Sequence, residues 1–343
     1  MSTMTIALDA MSGDSGASVI VPAAIRAAKK HPDLTLILVG DKATLESELA
    51  KCKASNHPQL IVHHASEVVA MDELPSIALR SKKDSSMRVA VNLVHEGKAE
   101  ACVSAGNTGA LMATAKFVLK MIPGIDRPAI LTALPTVQEG RILRMLDLGA
   151  NVDSSPEKLQ QFAVMGSVVS NLVDKITNPK VALLNNGEEA IKGNEQVKAT
   201  AQLLEACPAI NYVGFIEGTD IYSGNVDVIV CDGFVGNVAL KASEGAINLI
   251  STYMRDEFTK NLFSRLIGLV TMPIFRQLKR RMDPGRYNGA SFVGLRGIAI
   301  KSHGGANEVA FAAAIEEAIT QVEQNVPQKI TSTVAEILKR VTS

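Results

Sequence analysis

Asn107, Thr108 and Gly109 stand where a run of small residues turns into an apolar helix, within Ser104-Ala105-Gly106-Asn107-Thr108-Gly109. A strand passing through such a turn leaves the first N–H groups of the helix free at the positive end of its dipole. An anion such as phosphate binds there. A turn of similar form recurs at Asp232-Gly233-Phe234-Val235-Gly236-Asn237, with Lys241 about one turn inside its helix. Neither turn carries the G-K-[ST] of a P-loop, and neither is G-x-G-x-x-G, so a nucleotide or dinucleotide is disfavoured.

Three more loops of this kind bear polar groups. Met145–Leu148 leads through Gly149-Ala150 to Asn151, which is able to donate to and accept from a ligand. Val181–Leu184 leads to Asn185-Asn186-Gly187-Glu188-Glu189-Ala190-Ile191-Lys192, and Gly297–Lys301 leads to Ser302-His303-Gly304-Gly305-Ala306-Asn307. Lys192, Lys241 and Lys301 are the candidate cations for an anionic substrate, against the plainer reading of solvated surface lysines. His303, between lysine, serine and glycines, is placed to move a proton. Asp147, inside an apolar strand, needs a buried partner or a functional role. Asp9 and Asp14 bracket a tight turn, and an Asx-type turn explains them as well as a metal would; no metal site is expected. The basic stretch Arg80–Met87 opens a helix with Asp84, Ser85 or Ser86 as its cap, and a solvated helix start is favoured over a phosphate contact.

The elements that position these groups alternate. Apolar runs of strand length fall at 4–9, 34–39, 59–63, 100–104, 128–134, 142–148, 180–184, 211–216, 226–231 and 297–300. Helical patterns fall at 17–30, 42–51, 82–97, 109–120, 156–174, 194–206, 236–258, 307–324 and 330–341. Such alternation predicts an α/β fold, an open and mostly parallel sheet with helices on both faces, whose ligands sit outside the carboxyl ends of the strands. Residues 1–343 read as a single catalytic unit, with two lobes sharing one sheet as a variant of it.

The bulk composition limits the function. A 47% hydrophobic, 20% charged chain of 343 residues builds a sizeable core. Its formal net charge of zero offers nucleic acid no general attraction. Cys52, Cys102, Cys207 and Cys231 form no C-x-x-C pair; Cys102 and Cys231, inside apolar strand patterns, read as core thiols, and the compartment as a reducing cytosol. No secretion signal is evident at the start, and no run of ~18 apolar residues would span a bilayer.

One segment departs from this pattern. The apolar stretch 262–275, with Leu266, Ile267 and Phe275, is split by Pro273 and followed by Arg276, Lys279, Arg280, Arg281 and Arg286. An amphipathic hairpin over 258–285 would lie in a membrane interface or pack on a second subunit; the sequence holds the two readings level.

Taken together, Asp9-Ala10-Met11, Ser104–Met112, Gly124-Ile125-Asp126-Arg127-Pro128-Ala129, Leu148–Asp153, Lys192-Gly193-Asn194-Glu195, Asp232–Lys241 and Lys301-Ser302-His303-Gly304 resemble the acyl-[acyl-carrier-protein]–phosphate acyltransferases, in order and over essentially the whole chain. The resemblance departs at Ser12, where the family usually has glycine, at Asn186–Glu189 and at Gly305–Asn307.

The resemblance implies transfer of a long-chain acyl group from acyl carrier protein to inorganic phosphate, giving acyl phosphate for glycerophospholipid synthesis, with no cofactor. It implies a fold similar to isopropylmalate dehydrogenases and phosphate acetyltransferases, and a homodimer. It also implies a cytoplasmic enzyme peripherally bound to the inner face of the membrane, which delivers product to a membrane glycerol-3-phosphate acyltransferase. The basic segment would meet the carrier protein or the membrane surface.

In such a reaction phosphate is itself the nucleophile, and the protein must hold it in line with the thioester and stabilise the oxyanion. Asn107, Lys192, Lys241 and His303 are the expected catalytic groups. Ser104, Gly106, Thr108, Gly109, Asn151, Asp232, Asn237 and Lys301 are the expected substrate contacts. The rival readings are a phosphate acetyltransferase using acyl-coenzyme A, a non-catalytic membrane scaffold, and a nicotinamide-dependent decarboxylating dehydrogenase. The dehydrogenase would need a metal-binding aspartate cluster and a dinucleotide loop that the sequence does not offer.

Overall fold

A computed structural model of the chain describes residues 4–189, 191–261, 263–265, 267–268, 270–272 and 288–342, with the side chains of 338–342 left aside. Leu266, Phe275, Arg276, Lys279, Arg280 and Arg281 therefore lie outside the described residues, as does most of the expected hairpin. Residues 263–265, 267–268 and 270–272 are helical, and Ile267 is exposed.

Among the described residues, eleven strands form one sheet. They are β1 (Met4–Asp9), β2 (Leu34–Gly40), β3 (Leu60–His64), β4 (Ala101–Ser104), β5 (Ala129–Pro135), β6 (Ile142–Leu146), β7 (Lys180–Asn185), β8 (Asn211–Glu217), β9 (Val228–Val230), β10 (Ala290–Val293) and β11 (Ile298–Lys301). Their order is β3-β2-β1-β4-β11-β10-β5-β6-β9-β7-β8. β1, β2, β3, β4 and β11 run parallel, and so do β6, β7, β8 and β9. Between these blocks, β10 is antiparallel to β11 and β5, and β5 is antiparallel to β6. Three reversals separate the blocks, so the second block points opposite to the first. Their carboxyl ends lie at opposite edges of the sheet.

Helices cover both faces: α1 (Ala17–Lys30), α2 (Lys42–Lys51), α3 (Pro75–Ser81), α4 (Ser86–His95), α5 (Thr108–Leu119), α6 (Pro156–Val173), α7 (Glu195–Glu205), α8 (Gly233–Thr259), α9 (Glu308–Glu323) and α10 (Val326–Thr342). Strand alternation divides the core between the faces. Ile6 and Leu8 join Ile20 of α1 and Phe311 of α9, whereas the intervening Ala7 joins Val91 of α4 and Leu111 of α5. In the second block, Leu146, Val228 and Leu183 pack with Phe162 of α6 and Leu204 of α7.

Two elements escape the sequence pattern. α3 begins on Pro75, and the helix expected over 82–97 starts only at Ser86, where the Ser85 side chain caps it. β10 has four residues and lies between glycines, too short for alternation to register.

One buried charge ties elements of the two blocks together. Arg144 of β6 donates from Nε and Nη2 to Asp174, at 2.9 and 2.7 Å, and from Nη1 to Glu317 of α9 at 3.1 Å. The side chain is 2% exposed, and its two carboxylate partners keep the guanidinium charged against burial.

Candidate active site

Asp9, Ser104 and Lys301 end three adjacent parallel strands in one register line: Asp9 pairs with Ser104, and Ser104 with Lys301. The Ser104 hydroxyl donates to Asp9 Oδ2 at 2.6 Å and accepts the Gly106 N–H at 3.1 Å. Ser12 does the same for the next amide: its hydroxyl donates to the Asp9 carbonyl at 2.6 Å and accepts the Ala105 N–H at 2.9 Å. The Ser104–Gly106 turn is thus fixed by two buried hydroxyls. The β1 and β11 loops meet at Gly13, whose φ is +77° and where a Cβ would lie 2.8 Å from the Gly304 carbonyl. Asp14 N–H donates to that same carbonyl at 2.9 Å.

Above the turn, α5 opens with free donors. Asn107 Oδ1 accepts the Ala110 N–H at 3.0 Å, and among the described residues the N–H groups of Asn107, Thr108 and Gly109 take no partner. Those three point from the positive end of a twelve-residue helix. The Asn107 amide is otherwise spent, since Nδ2 donates to the carbonyls of Met71 and Glu73 at 2.8 and 3.0 Å. The side chain expected to act on substrate is therefore committed to architecture, and the backbone N–H of Asn107 is what faces outward.

Lys301 is 8% exposed and donates from Nζ to the Ala105 and Ser302 carbonyls. Burial pulls its pKa down to about 8, against the attraction of Asp9 and Asp14. Burial pushes the Asp9 carboxyl up, more than the hydrogen bond from Ser104 lowers it. Asp9 Oδ1 has no hydrogen-bond partner among the described residues. His303 is exposed; its N–H donates to Asn288 Oδ1 at 2.9 Å, and its Nδ1 accepts the Gly305 N–H at 3.1 Å. In the neutral ring that assigns the proton to Nε2.

The second group of loops is built otherwise. At the start of α8, Asp232 Oδ1 accepts the N–H groups of Phe234 and Val235, both at 2.9 Å, and the Gly233 N–H goes to the Asn151 carbonyl. A carboxylate already occupies the position that an anion would take, so the two turns are not equivalents. Asp147 accepts from Ile130, Gly149, Ala150 and Asn151 N–H and from Asn151 Nδ2, at 2.7–3.2 Å. Asn151 Nδ2 also donates to the Pro128 carbonyl at 2.8 Å. Gly236 packs directly on the Asp147 carbonyl, and Asn237 lies against Gly149. Asp147 Oδ1 and Oδ2, Asn151 Nδ2 and Asp232 Oδ1 are thus committed to organising the loop.

Lys192 and Lys241 are exposed and belong to this second block. No hydrogen bond or ion pair among the described residues joins either of them to the Ser104–Gly109 loop. Of the three candidate lysines, the strand register brings Lys301 to that loop.

The sequence comparisons give the family. Residues 4–329 match the sequence model of a family described as "Fatty acid synthesis protein". A phosphate acyltransferase of Legionella pneumophila (strain Corby) is 57% identical over 326 residues, 95% of each chain. One of Coxiella burnetii (strain RSA 331 / Henzerling II) is 58% identical over 336 residues, 98% of each. The chain belongs to the phosphate acyltransferase family.

As a phosphate acyltransferase it shares its fold with distant solved structures. A phosphotransacetylase from Streptococcus pyogenes superposes with a TM-score of 0.62 at 17% identity, covering 94% of both chains. The EutD phosphotransacetylase from Staphylococcus aureus gives 0.59 at 16%, covering 93% of this chain and 94% of the other. Both confirm the α/β architecture. The acyltransferase assignment rests on the close sequence relatives.

Three contributors to this candidate site were missed as site residues. Asp9 and Ser12 read as a turn, although a carboxylate ending the apolar run Ile6-Ala7-Leu8 is the same signal that marked Asp147. The third is the segment preceding α4, where the pinning of Met71 and Glu73 by Asn107 leaves no trace in spacing. Cys102 and Cys231 are core thiols: burial pushes Cys102 up to about 12, and Cys231 also rises well above its ordinary value.

Proposed function

We propose that the chain transfers a long-chain acyl group from the thioester of acyl carrier protein to inorganic phosphate, releasing acyl phosphate and the carrier thiol. The observation that carries this reading is the register line Asp9–Ser104–Lys301 beneath the open N-terminus of α5. Phosphate sits on the N–H groups of Asn107, Thr108 and Gly109, with the Lys301 charge behind the turn and the Thr108 hydroxyl at its rim. A phosphate oxygen of hydrogen phosphate attacks the thioester carbonyl, the C–S bond breaks, and the proton that phosphate loses passes to the leaving thiolate, which His303 Nε2–H steadies by a hydrogen bond. Water exclusion and in-line placement supply most of the acceleration, because phosphate needs no activation by a covalent intermediate.

The homodimer and the membrane association belong to the same proposal. α8 runs for 27 residues, about 40 Å, and buries Gly233 and Gly236 while Phe234, Val238, Leu249, Ile250 and Tyr253 stay exposed. A second subunit covering that face, with the neighbouring basic segment at the membrane surface, would place the product near a membrane glycerol-3-phosphate acyltransferase. No helix among the described residues is long and apolar enough to cross a membrane.

Incubation with hexadecanoyl carrier protein and labelled phosphate tests the chemistry. The expected product is a hydroxylamine-sensitive labelled acyl phosphate. Product only from acetyl-coenzyme A would replace the carrier-protein reading with an acetyltransferase, and no product from either donor would leave a scaffold.

A further inference from the structure

The segment from Ser66 to Ser81 forms a strap over the α5 loop and is tied down along its length. At its base, Ser66 donates from N and Oγ to Asp84 Oδ2 at 2.9 and 2.5 Å, and Ser86 N–H donates to the Glu67 carbonyl at 3.0 Å. Lys82 Nζ donates to the Val68 carbonyl at 2.9 Å. The Asn107 amide holds the Met71 and Glu73 carbonyls. Pro75 then packs on Gly109 so closely that a Cβ there would lie 2.9 Å from the proline ring.

A segment this firmly held nevertheless turns four large apolar side chains to the outside. Val68, Met71, Leu74 and Ile77 are between 41% and 62% exposed, while Ala78 faces inward and is buried. Leu74 and Ile77 are three apart on α3 and its cap, so they share a side. Met71 continues the row to the phosphate cradle, its Cε lying 3.1 Å from where a Gly304 Cβ would be.

We infer that this row is the subsite for the acyl chain of the donor, running outward from the cradle through Met71 to Leu74 and Ile77. The inference rests on the proposed acyl-transfer reading, which requires the thioester carbonyl within about 3.5 Å of the bound phosphate. The first methylenes must then lie beside whatever borders the cradle, and among the described residues the strap is an exposed apolar element that touches both Asn107 and Gly304. The ligand class is a saturated fatty acyl chain. A pinned backbone suits that role, because a surface already in its bound shape loses little entropy when a chain is laid on it.

The experiment compares hexanoyl and hexadecanoyl carrier protein on the full chain and on the double variant Leu74→Ser/Ile77→Ser. Both positions are exposed, so the thermal midpoint should hold. In the unaltered chain the KM should fall about tenfold or more with the longer donor, since each buried methylene favours binding. In the double variant that ratio should shrink to about threefold or less, and binding of a pyrene-labelled fatty acid should weaken about fivefold or more. A double variant that keeps both the chain-length ratio and the pyrene binding overturns the subsite. If it instead becomes monomeric in sedimentation while keeping the ratio, the strap is a subunit contact and the inference falls. If the unaltered chain makes no acyl phosphate from either donor, the acyl-transfer reading itself is wrong and the subsite goes with it.

Discussion

The Ser104 hydroxyl donates to Asp9 Oδ2 at 2.6 Å across a register pair of two parallel strands, and this bond sets the turn from which the anion site is built. Because Ser104 Oγ also accepts the Gly106 N–H, its proton direction is fixed by the carboxylate below it. Asp9→Asn keeps the shape but can drive the wrong donor toward Ser104. Loss of a buried charge-assisted bond of about 1.5–3 kcal/mol should lower kcat/KM for phosphate about tenfold or more, measured by acyl phosphate formation.

Lys301 ties activity to pH. Its charge is present below about 8 and is lost as pH rises through that value. Phosphate affinity should therefore fall on the alkaline side of pH 8. Lys301→Arg, whose guanidinium stays charged, should move that limb upward. Stability runs the other way. The folded value lies below the unfolded value of about 10.4, so between them the unfolded chain binds more protons and unfolding becomes harder as pH rises. Below about 8 the fold carries the full cost of a buried charge. Lys301→Met should remove this dependence from denaturation midpoints measured between pH 8 and 10.

Asn107 joins α5 to the strap, and its two ends can be separated by mutation. Asn107→Ala removes the cap and both strap bonds and should lower stability by about 1–2 kcal/mol. Asn107→Asp keeps an acceptor for Ala110 N–H but sets a carboxylate against two carbonyls and beside the phosphate position. Its phosphate KM should rise about tenfold or more, beyond that of the alanine variant.

The Asp232 turn provides the control. Asp232→Ala exposes two amides at the α8 start and should cost about 1 kcal/mol in urea unfolding. Phosphate KM should stay within about twofold, because the cradle forms on the opposite edge of the sheet. A large rise in KM would bring the second group of loops back into the phosphate site.

Arg144 tests the frame. Arg144→Met leaves Asp174 and Glu317 with an uncompensated buried charge, and removal of one member of such a cluster typically destabilises by about 3–5 kcal/mol. The urea midpoint should drop accordingly, with recovery on adding Asp174→Leu.

Much of this was legible in the sequence, for physical reasons that also mark where reading stops. Strand and helix periods are local, so β1, α1, α2 and a cap for α4 within Asp84–Ser86 follow from neighbouring residues. Strand direction is not local. The sequence showed polar loops after every strand, but the reversals at β10 and β6 divide them between two edges, and no residue pattern announces that. The Asp232 turn looked like the Asn107 turn because both cap a helix. They differ in whether the cap leaves donors free: Asp232 Oδ1 takes two N–H groups, whereas Asn107 Oδ1 takes one beyond the first three. Lys192 and Lys301 were indistinguishable as loop lysines until pairing placed Lys301 beside Ser104.

The place of β11 sets an order of assembly. Its four residues lie fifth among eleven strands, between β4 and β10, yet they are synthesised after nearly all the rest of the chain. A nascent polypeptide that has reached residue 290 holds Asp9, Ser104 and the start of α5, but the strand that must lie beside β4 has not yet emerged. Its β4 edge offers unpaired backbone groups, the sort of edge that recruits other chains. The cradle thus gains its lysine and the sheet loses that internal edge in one late insertion, so truncation before Lys301 should yield aggregation rather than a weakened enzyme.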